Sequence, residues 1–248
     1  MDTHYYYMAV NLGCISVPFI FSFHPKLNFY KNWKALIAGI VTMMAIFIPW
    51  DIYFTAQGIW GFNPKYVTGT FIFGLPLEEW LFFICIPYAC VFTYSCMKIF
   101  LPANFDSALL RGLLYLTCFT FLILAALHTD RWYTFTAHIL SGLFLALHLI
   151  IFKSRYLPTF MLTFVIILVP FLSSNGVLTG VTFWDYPFFN FDVENISEKI
   201  VAYNNDHNLR FRLFSMPADD ISYGLFMLLL TTTIYEKVLN SPKKLSSF

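Results

Sequence analysis

Charge is what this chain has least of. Asp, Glu, Lys and Arg make up 12% of 248 residues, with a formal net charge of +1 and a mean hydropathy of +0.66. Soluble domains carry about 25% charged residues, so a soluble globule is excluded, and so even a balance gives no reason to expect a nucleic-acid partner. Cysteine chemistry is missing too. Cys14, Cys85, Cys90, Cys96 and Cys118 form no CxxC pair and no metal-ligand set, so they read as small packing residues. His138 and His148 share one apolar run but stand nearly three turns apart, too far to ligate one metal ion. They read as satisfied core or interface histidines. No GxGxxG follows a strand, and no other nucleotide fingerprint occurs, so no nucleotide cofactor is indicated.

What the chain has is apolar length. Hydrophobic residues reach 58%, and runs of the roughly 17–25 residues that a bilayer core demands fall at about 5–22, 33–50, 77–100, 109–127, 132–152, 157–173 and 217–239. This predicts an all-α polytopic membrane protein with seven spans. The first run lacks the basic lead of a cleaved signal peptide, so the chain is expected to begin in the membrane. With seven spans, Lys65, Arg131, Lys199, Arg210 and Arg212 fall on one side and the other ten Lys and Arg on the opposite side. Basic residues mark the cytoplasmic face, which puts the N-terminus outside and the C-terminus in the cytoplasm. Of fourteen acids, only Asp106 and Glu236 sort to the cytoplasmic side.

An internal repeat carries the functional signal. Shifted by 141 residues, "FNPKYVTGTFIFGLPLEEWLFFICIPYACVFTY" (62–94) lies over "YNNDHNLRFRLFSMPADDISYGLFMLLLTTTIY" (203–235) without a gap. Asn63 matches Asn204, Pro76 matches Pro217, Glu78 matches Asp219, Glu79 matches Asp220, and Phe82 matches Tyr223. The preceding runs agree in Pro49 and Pro170 and in Gln57-Gly58 and Asn175-Gly176. The chain therefore divides into a three-span repeat at 1–101, a linking span at 102–130 and a second three-span repeat at 131–248. Four spans separate matching elements, so the repeats are parallel and both acid pairs, Glu78-Glu79 and Asp219-Asp220, are expected at one membrane face, where they can converge on one cavity.

Proline followed by acids is also how many helices start, because Pro suits the first turn and carboxylates complement the dipole there. That bland reading weakens when the pattern recurs in register beside a long apolar run, since ionisable groups at membrane depth are costly and mark function by default. Desolvation and the helix dipole act on such a carboxyl in opposite senses, an opposition that can tune a general acid.

Together "PWD" (49–51), "LPLEEWLFFICIPY" (75–88), "YNNDHNLRFR" (203–212), "PADDISYG" (217–224) and "YE" (235–236) resemble the membrane-integral, flavin-independent lycopene cyclases. These occur as two small subunits in some bacteria and as one fused chain in archaea, other bacteria and fungi. The likeness spans nearly the whole chain. One departure stands out: the second repeat of the family usually reads Pro-x-Glu-Asp, where this chain has Pro217-Ala218-Asp219-Asp220. The resemblance implies a lycopene β-cyclase of carotenoid biosynthesis with Glu78, Glu79, Asp219 and Asp220 as catalytic residues. Its substrate is lycopene or a related linear carotene taken from the lipid bilayer, and it acts as a monomer or homo-oligomer. Ring closure is an isomerisation: an acid protonates C2, the C1 cation is captured by the C5–C6 double bond, and a base removes the C6 proton. It needs an acid, a base, a dry pocket and cation stabilisation, and no redox cofactor or metal.

Trp50, Trp60, Trp80, Phe82, Phe83 and Tyr223 adjoin the acid motifs and are candidates for cation stabilisation, although aromatics are also ordinary core and interface material. Asp51 either marks the membrane boundary or positions a motif glutamate. Asn63, Asn175, Asn204 and Asn205 are expected to build turns or hydrogen-bond the acids, and Tyr235 and Glu236 to form a helix end without chemistry. Between the sixth and seventh runs, "VENISEKIVAY" (193–203) spaces Val193, Ile196, Ile200 and Tyr203 as an amphipathic helix would, either on the outer surface or as a lid. Two other classes remain. A CAAX-type intramembrane protease also carries a Glu-Glu pair, but its pattern continues to an Arg and adds His helices, which "EEWLF" and the His spacing do not offer. A repeat-built transporter would move its substrate without changing it.

Overall fold

A computed structural model describes residues 3–101 and 108–241. Asp2, Asp106, Lys243 and Lys244, counted above for orientation, and residues 102–107 of the expected linking segment lie outside them. The protein is mostly helical: α1 (Tyr6–Phe21), α2 (Trp33–Ala56), α3 (Leu77–Phe100), α4 (Ala108–Leu127), α5 (Trp132–Ala146, running on as a π-helical turn Leu147–Phe152), α6 (Leu157–Thr179) and α7 (Asp219–Leu239). Five stretches are long and apolar enough to cross a membrane: Phe29–Ala56, Leu77–Phe100, Ala108–Leu127, Trp132–Phe152 and Leu157–Thr179. The first helix has only 16 residues. The last carries buried Ser222, Thr231, Thr232 and Glu236, because α2, α3, α5 and α6 pack around it and a helix enclosed by protein has no need to be lipid-soluble.

Close approach of α2 to α7 depends on Gly39, where a β-carbon would stand 2.6 Å from the Thr231 carbonyl oxygen. Elsewhere α1 packs on α3, α4 on α5, and α3 on α6. Large apolar residues on the outer faces, such as Val17, Ile20, Val41, Leu116, Phe119 and Val169, are exposed, as lipid-facing positions require.

The expectation of helices alone needs amending, because short strands cap one end of the bundle. Strand β1 (Trp60–Phe62) pairs antiparallel with β5 (Val201–Tyr203), Trp60 opposite Tyr203. Each strand runs into an asparagine-capped 3-10 turn, Pro64–Tyr66 after Asn63 and Asn205–His207 after Asn204. Each turn leads to a two-residue hairpin: β2 (Phe71–Ile72) with β3 (Leu75–Pro76), and β6 (Arg212–Leu213) with β7 (Met216–Pro217). Phe73 and Phe214 hold left-handed φ of 52° and 56° at the two tips, and the hairpins deliver the chain into α3 and α7. The second is widened by β4 (Phe189–Asn190), which pairs with β6.

The amphipathic helix over 193–203 does not form. That stretch is irregular, with bends, and ends in β5, and Val193, Ile196 and Ile200 are buried. Backbone partners decided against the helix. The Ile200 amide donates to the Leu178 carbonyl, the Glu198 carbonyl accepts from Val181, and Glu198 itself holds a left-handed φ of 52°. Spacing alone cannot register partners that lie on other elements.

Candidate functional site

The four motif acids are all buried, and within each pair they do different work. Glu78 Oε1 accepts the Thr68 amide at 2.8 Å, and the Glu78 carbonyl accepts Asn11 Nδ2 at 2.7 Å. Asp219 Oδ2 accepts the Leu209 amide at 3.1 Å, and its Oδ1 accepts Thr134 Oγ1 at 2.7 Å. The first acid of each pair thus fastens the loop ahead of its own helix. The aspartate reaches the loop amide as the glutamate does, so the shorter side chain at 219 keeps the contact.

The second acids, Glu79 and Asp220, turn into one cavity of about 50 Å³, joined there by Asp51 from α2 and Asn175 from α6. Tyr7 donates its hydroxyl to Glu79 Oε2 at 2.5 Å. Asp220 receives three donors: Tyr133 on Oδ1, and on Oδ2 Asn175 Nδ2 at 2.6 Å and Tyr203 at 3.3 Å. Asp51 Oδ1 accepts Trp60 Nε1 at 2.5 Å and Thr55 Oγ1 at 3.5 Å, while its Oδ2 is buried without a partner. The remaining wall is apolar and aromatic, with Trp60, Phe62, Phe82, Phe171, Tyr203 and Tyr223 among its members. Three carboxyl-bearing helices, α2, α3 and α7, therefore face one largely aromatic chamber, and an acid and a base can be set opposite each other there.

Of the other expected residues, Trp60, Phe82, Asn175 and Tyr223 line this chamber. Trp50 packs behind it on Phe47, Phe54 and Tyr223, its Nε1 buried without a partner. Phe83 lies against Phe47 and Phe82. Trp80 faces the first hairpin and donates to the Ile72 carbonyl at 3.3 Å. The loop asparagines build turns and do not touch the acids. Asn63 caps its turn and donates to the Lys199 carbonyl, Asn204 caps the matching turn, and Asn205 donates to the Val193 carbonyl and to Glu194. His138 bonds the Thr134 carbonyl, and His148 contacts Ser154 and Thr233, so both are satisfied core residues. At the far end of α7, Glu236 accepts Tyr94 and Lys98, and Tyr235 meets Ser95 and Asn32.

Sequence reasoning missed Tyr7, Tyr133, Thr134, Tyr203 and Arg212. The signal that was there is positional: Tyr7 and Tyr133 each open an apolar run, and Tyr203 begins the repeated block. Arg212 is 1% exposed. Its Nη atoms donate to the Ser215 carbonyl at 2.6 Å and to Asn205 Oδ1 at 2.8 Å, and its guanidinium lies 5.9 Å from the Tyr203 ring centroid. Burial lowers its pKa, with Asp220 the largest opposing influence. Burial, then Asp220 and Glu79, push the Tyr203 hydroxyl well above its usual value, so it stays a donor. Among the described residues no group of three or more His, Cys, Asp or Glu is arranged to hold a metal ion.

A family model described as lycopene cyclase matches residues 4–97 and 130–238, ranges that include both acid pairs and every residue lining the chamber. Searches of curated proteins and of solved structures return no match.

Proposed function

This chain belongs to the lycopene cyclase family, and from that premise we propose that it closes β-ionone rings on lycopene, giving γ- and β-carotene, by acid–base isomerisation through a carbocation. One observation carries the reading: Glu79 and Asp220, 141 residues apart, line the same buried aromatic chamber. An acid and a base facing one dry space are what protonation at C2 and deprotonation at C6 require. The π faces around them suit the cation formed between those steps. Neither step exchanges electrons, so the enzyme is an intramolecular lyase or isomerase in class. The family match over both acid pairs favours this reading over a transporter or a protease.

The same reading extends to the architecture. Seven helices span the cell membrane as two parallel three-helix repeats, 1–101 and 131–248, with 102–130 linking them. The strand cap lies at the outer face and the C-terminus in the cytoplasm. Glu79 and Asp220 act on substrate, while Glu78 and Asp219 hold their loops. Trp60, Phe82 and Tyr223 face the cation. Expression in a lycopene-accumulating host, followed by pigment chromatography, tests the activity. Cyclic carotenes are expected, and unchanged lycopene beside normally inserted protein would overturn it.

A further inference from the structure

Of the three chamber carboxyls, the two that match across the repeat, Glu79 and Asp220, have unlike neighbours. Asp220 is surrounded by donors: Tyr133, Asn175 and Tyr203 occupy three of the roughly four acceptor positions of a carboxylate, leaving one for a substrate proton. Behind Tyr203 stands the buried guanidinium of Arg212, whose charge acts on Asp220. Asp219, the adjacent acid, is bound by Thr134 and the Leu209 amide. Asp220 thus combines three hydrogen-bond donors with a nearby guanidinium, although a second carboxyl, Asp219, is its neighbour in sequence. Glu79 has one donor, Tyr7, and its neighbour in the chamber is a second carboxyl, Asp51, with an unpartnered Oδ2. Among the described residues no Lys or Arg forms an ion pair with either of these two. Two buried carboxyls facing one chamber without a cation share a proton at lower cost than they carry two charges.

We propose that these surroundings fix the roles: Glu79, backed by Asp51, delivers the proton, and Asp220, held by Tyr133, Asn175 and Tyr203, removes it. The proposal rests on the cyclase reading above. In the forward step the Glu79 O–H bond breaks and the proton adds to C2, leaving Glu79 as a carboxylate and a cation at C1. The C5–C6 electron pair forms the C1–C6 bond and moves the charge to C5. Asp220 takes the C6 proton, and the electrons of that C–H bond become the ring double bond. Return of the proton from Asp220 to Glu79 across the shared chamber restores both, with no net change in protons or electrons. Asp51, Asn175, Tyr133 and Arg212 are positioning residues.

Deuterium separates the roles. In heavy-water buffer, purified Asp220→Asn should form almost no ring, yet the recovered lycopene should gain deuterium at its ends. Glu79 still protonates C2 there, and the cation reverts by shedding a proton. Glu79→Gln should give neither ring nor label. Label with Glu79→Gln alone, with both or with neither overturns the assignment. Should either variant fail to insert, Tyr133→Phe and Tyr7→Phe, which each remove one oxygen, carry the test. Label returned to lycopene per ring formed should rise at least about threefold for Tyr133→Phe and not for Tyr7→Phe. An unchanged ratio for Tyr133→Phe overturns the proposal. Wild-type protein that forms no ring sinks the cyclase reading itself, whereas wild-type cyclisation with the opposite labelling sinks only the roles.

Discussion

Set side by side, the segment from Trp60 to Glu79 and the segment from Val201 to Asp220 use one local plan. Each runs strand, Asn-capped turn, hairpin with a left-handed Phe at its tip, and helix opening on two acids. In each the first acid ties down a loop amide, Thr68 or Leu209, and the second meets a tyrosine from a different helix. The differences lie outside the plan. Position 71 is a half-exposed Phe, and position 212, 141 residues on, is a buried Arg covered by β4. The helix before the first segment brings Asp51 to the chamber, and the helix before the second brings Asn175. A common scaffold sets where the acids stand, and the additions decide what electrostatic company they keep.

The comparison can be broken most severely at the second acids. Glu79→Gln and Asp220→Asn should each lower ring formation by about 10²–10⁴-fold, with the protein still in the membrane, as measured by carotene yield against immunoblot. Arg212→Met removes a feature that only the second half possesses. It leaves the Ser215 carbonyl and Asn205 without a charged donor, at about 1.5–3 kcal/mol for each bond, which should appear as a lower unfolding temperature in detergent together with reduced turnover. Within the pairs, Glu78→Gln and Asp219→Asn should cost only about 0.5–1.5 kcal/mol, because the amide oxygen still accepts the loop N–H. Activity should fall a few-fold, and a loss as deep as that of Glu79→Gln would erase the distinction between first and second acids. Smallest is the ion pair between Lys65 of the first segment and Glu198, three residues ahead of the second, 2.7 Å apart with both side chains 51% exposed. Lys65→Ala should shift the unfolding temperature barely, since exposed pairs contribute about 0–1 kcal/mol.

Helix positions were legible in the sequence because a bilayer imposes length and apolarity together: the run at 77–100 is α3 to the residue. Convergence of Glu79 and Asp220 was legible because the gapless repeat put both at one face. Tyr7 and Tyr133 were not, since a tyrosine heading an apolar run looks the same whether it sits in an interfacial belt or turns inward to a carboxyl. The split within each pair was half legible: Glu79 and Asp220 are expected to matter most if Glu78 and Asp219 mainly cap their helices, but that the first acids hold loop amides was not foreseen. Adjacent residues on a helix point about 100° apart, so one faces the loop and the other the chamber, but which does which depends on loops that hydropathy does not describe. The stretch 193–203 was misjudged for a related reason: its apolar spacing fits a helix, yet its backbone pairs with Leu178, Val181 and β1 instead.

The pairing of Trp60 with Tyr203 also has a meaning in time. A ribosome adds roughly 5–20 residues per second, so the 122 residues from Glu79 to Val201 represent roughly 6–24 s of synthesis. During that interval the first half already holds Asp51, Glu78 and Glu79, while the strand that roofs them does not yet exist. Until Val201–Tyr203 is made, the acids of the first half lack the strand that pairs with Trp60–Phe62 beside them.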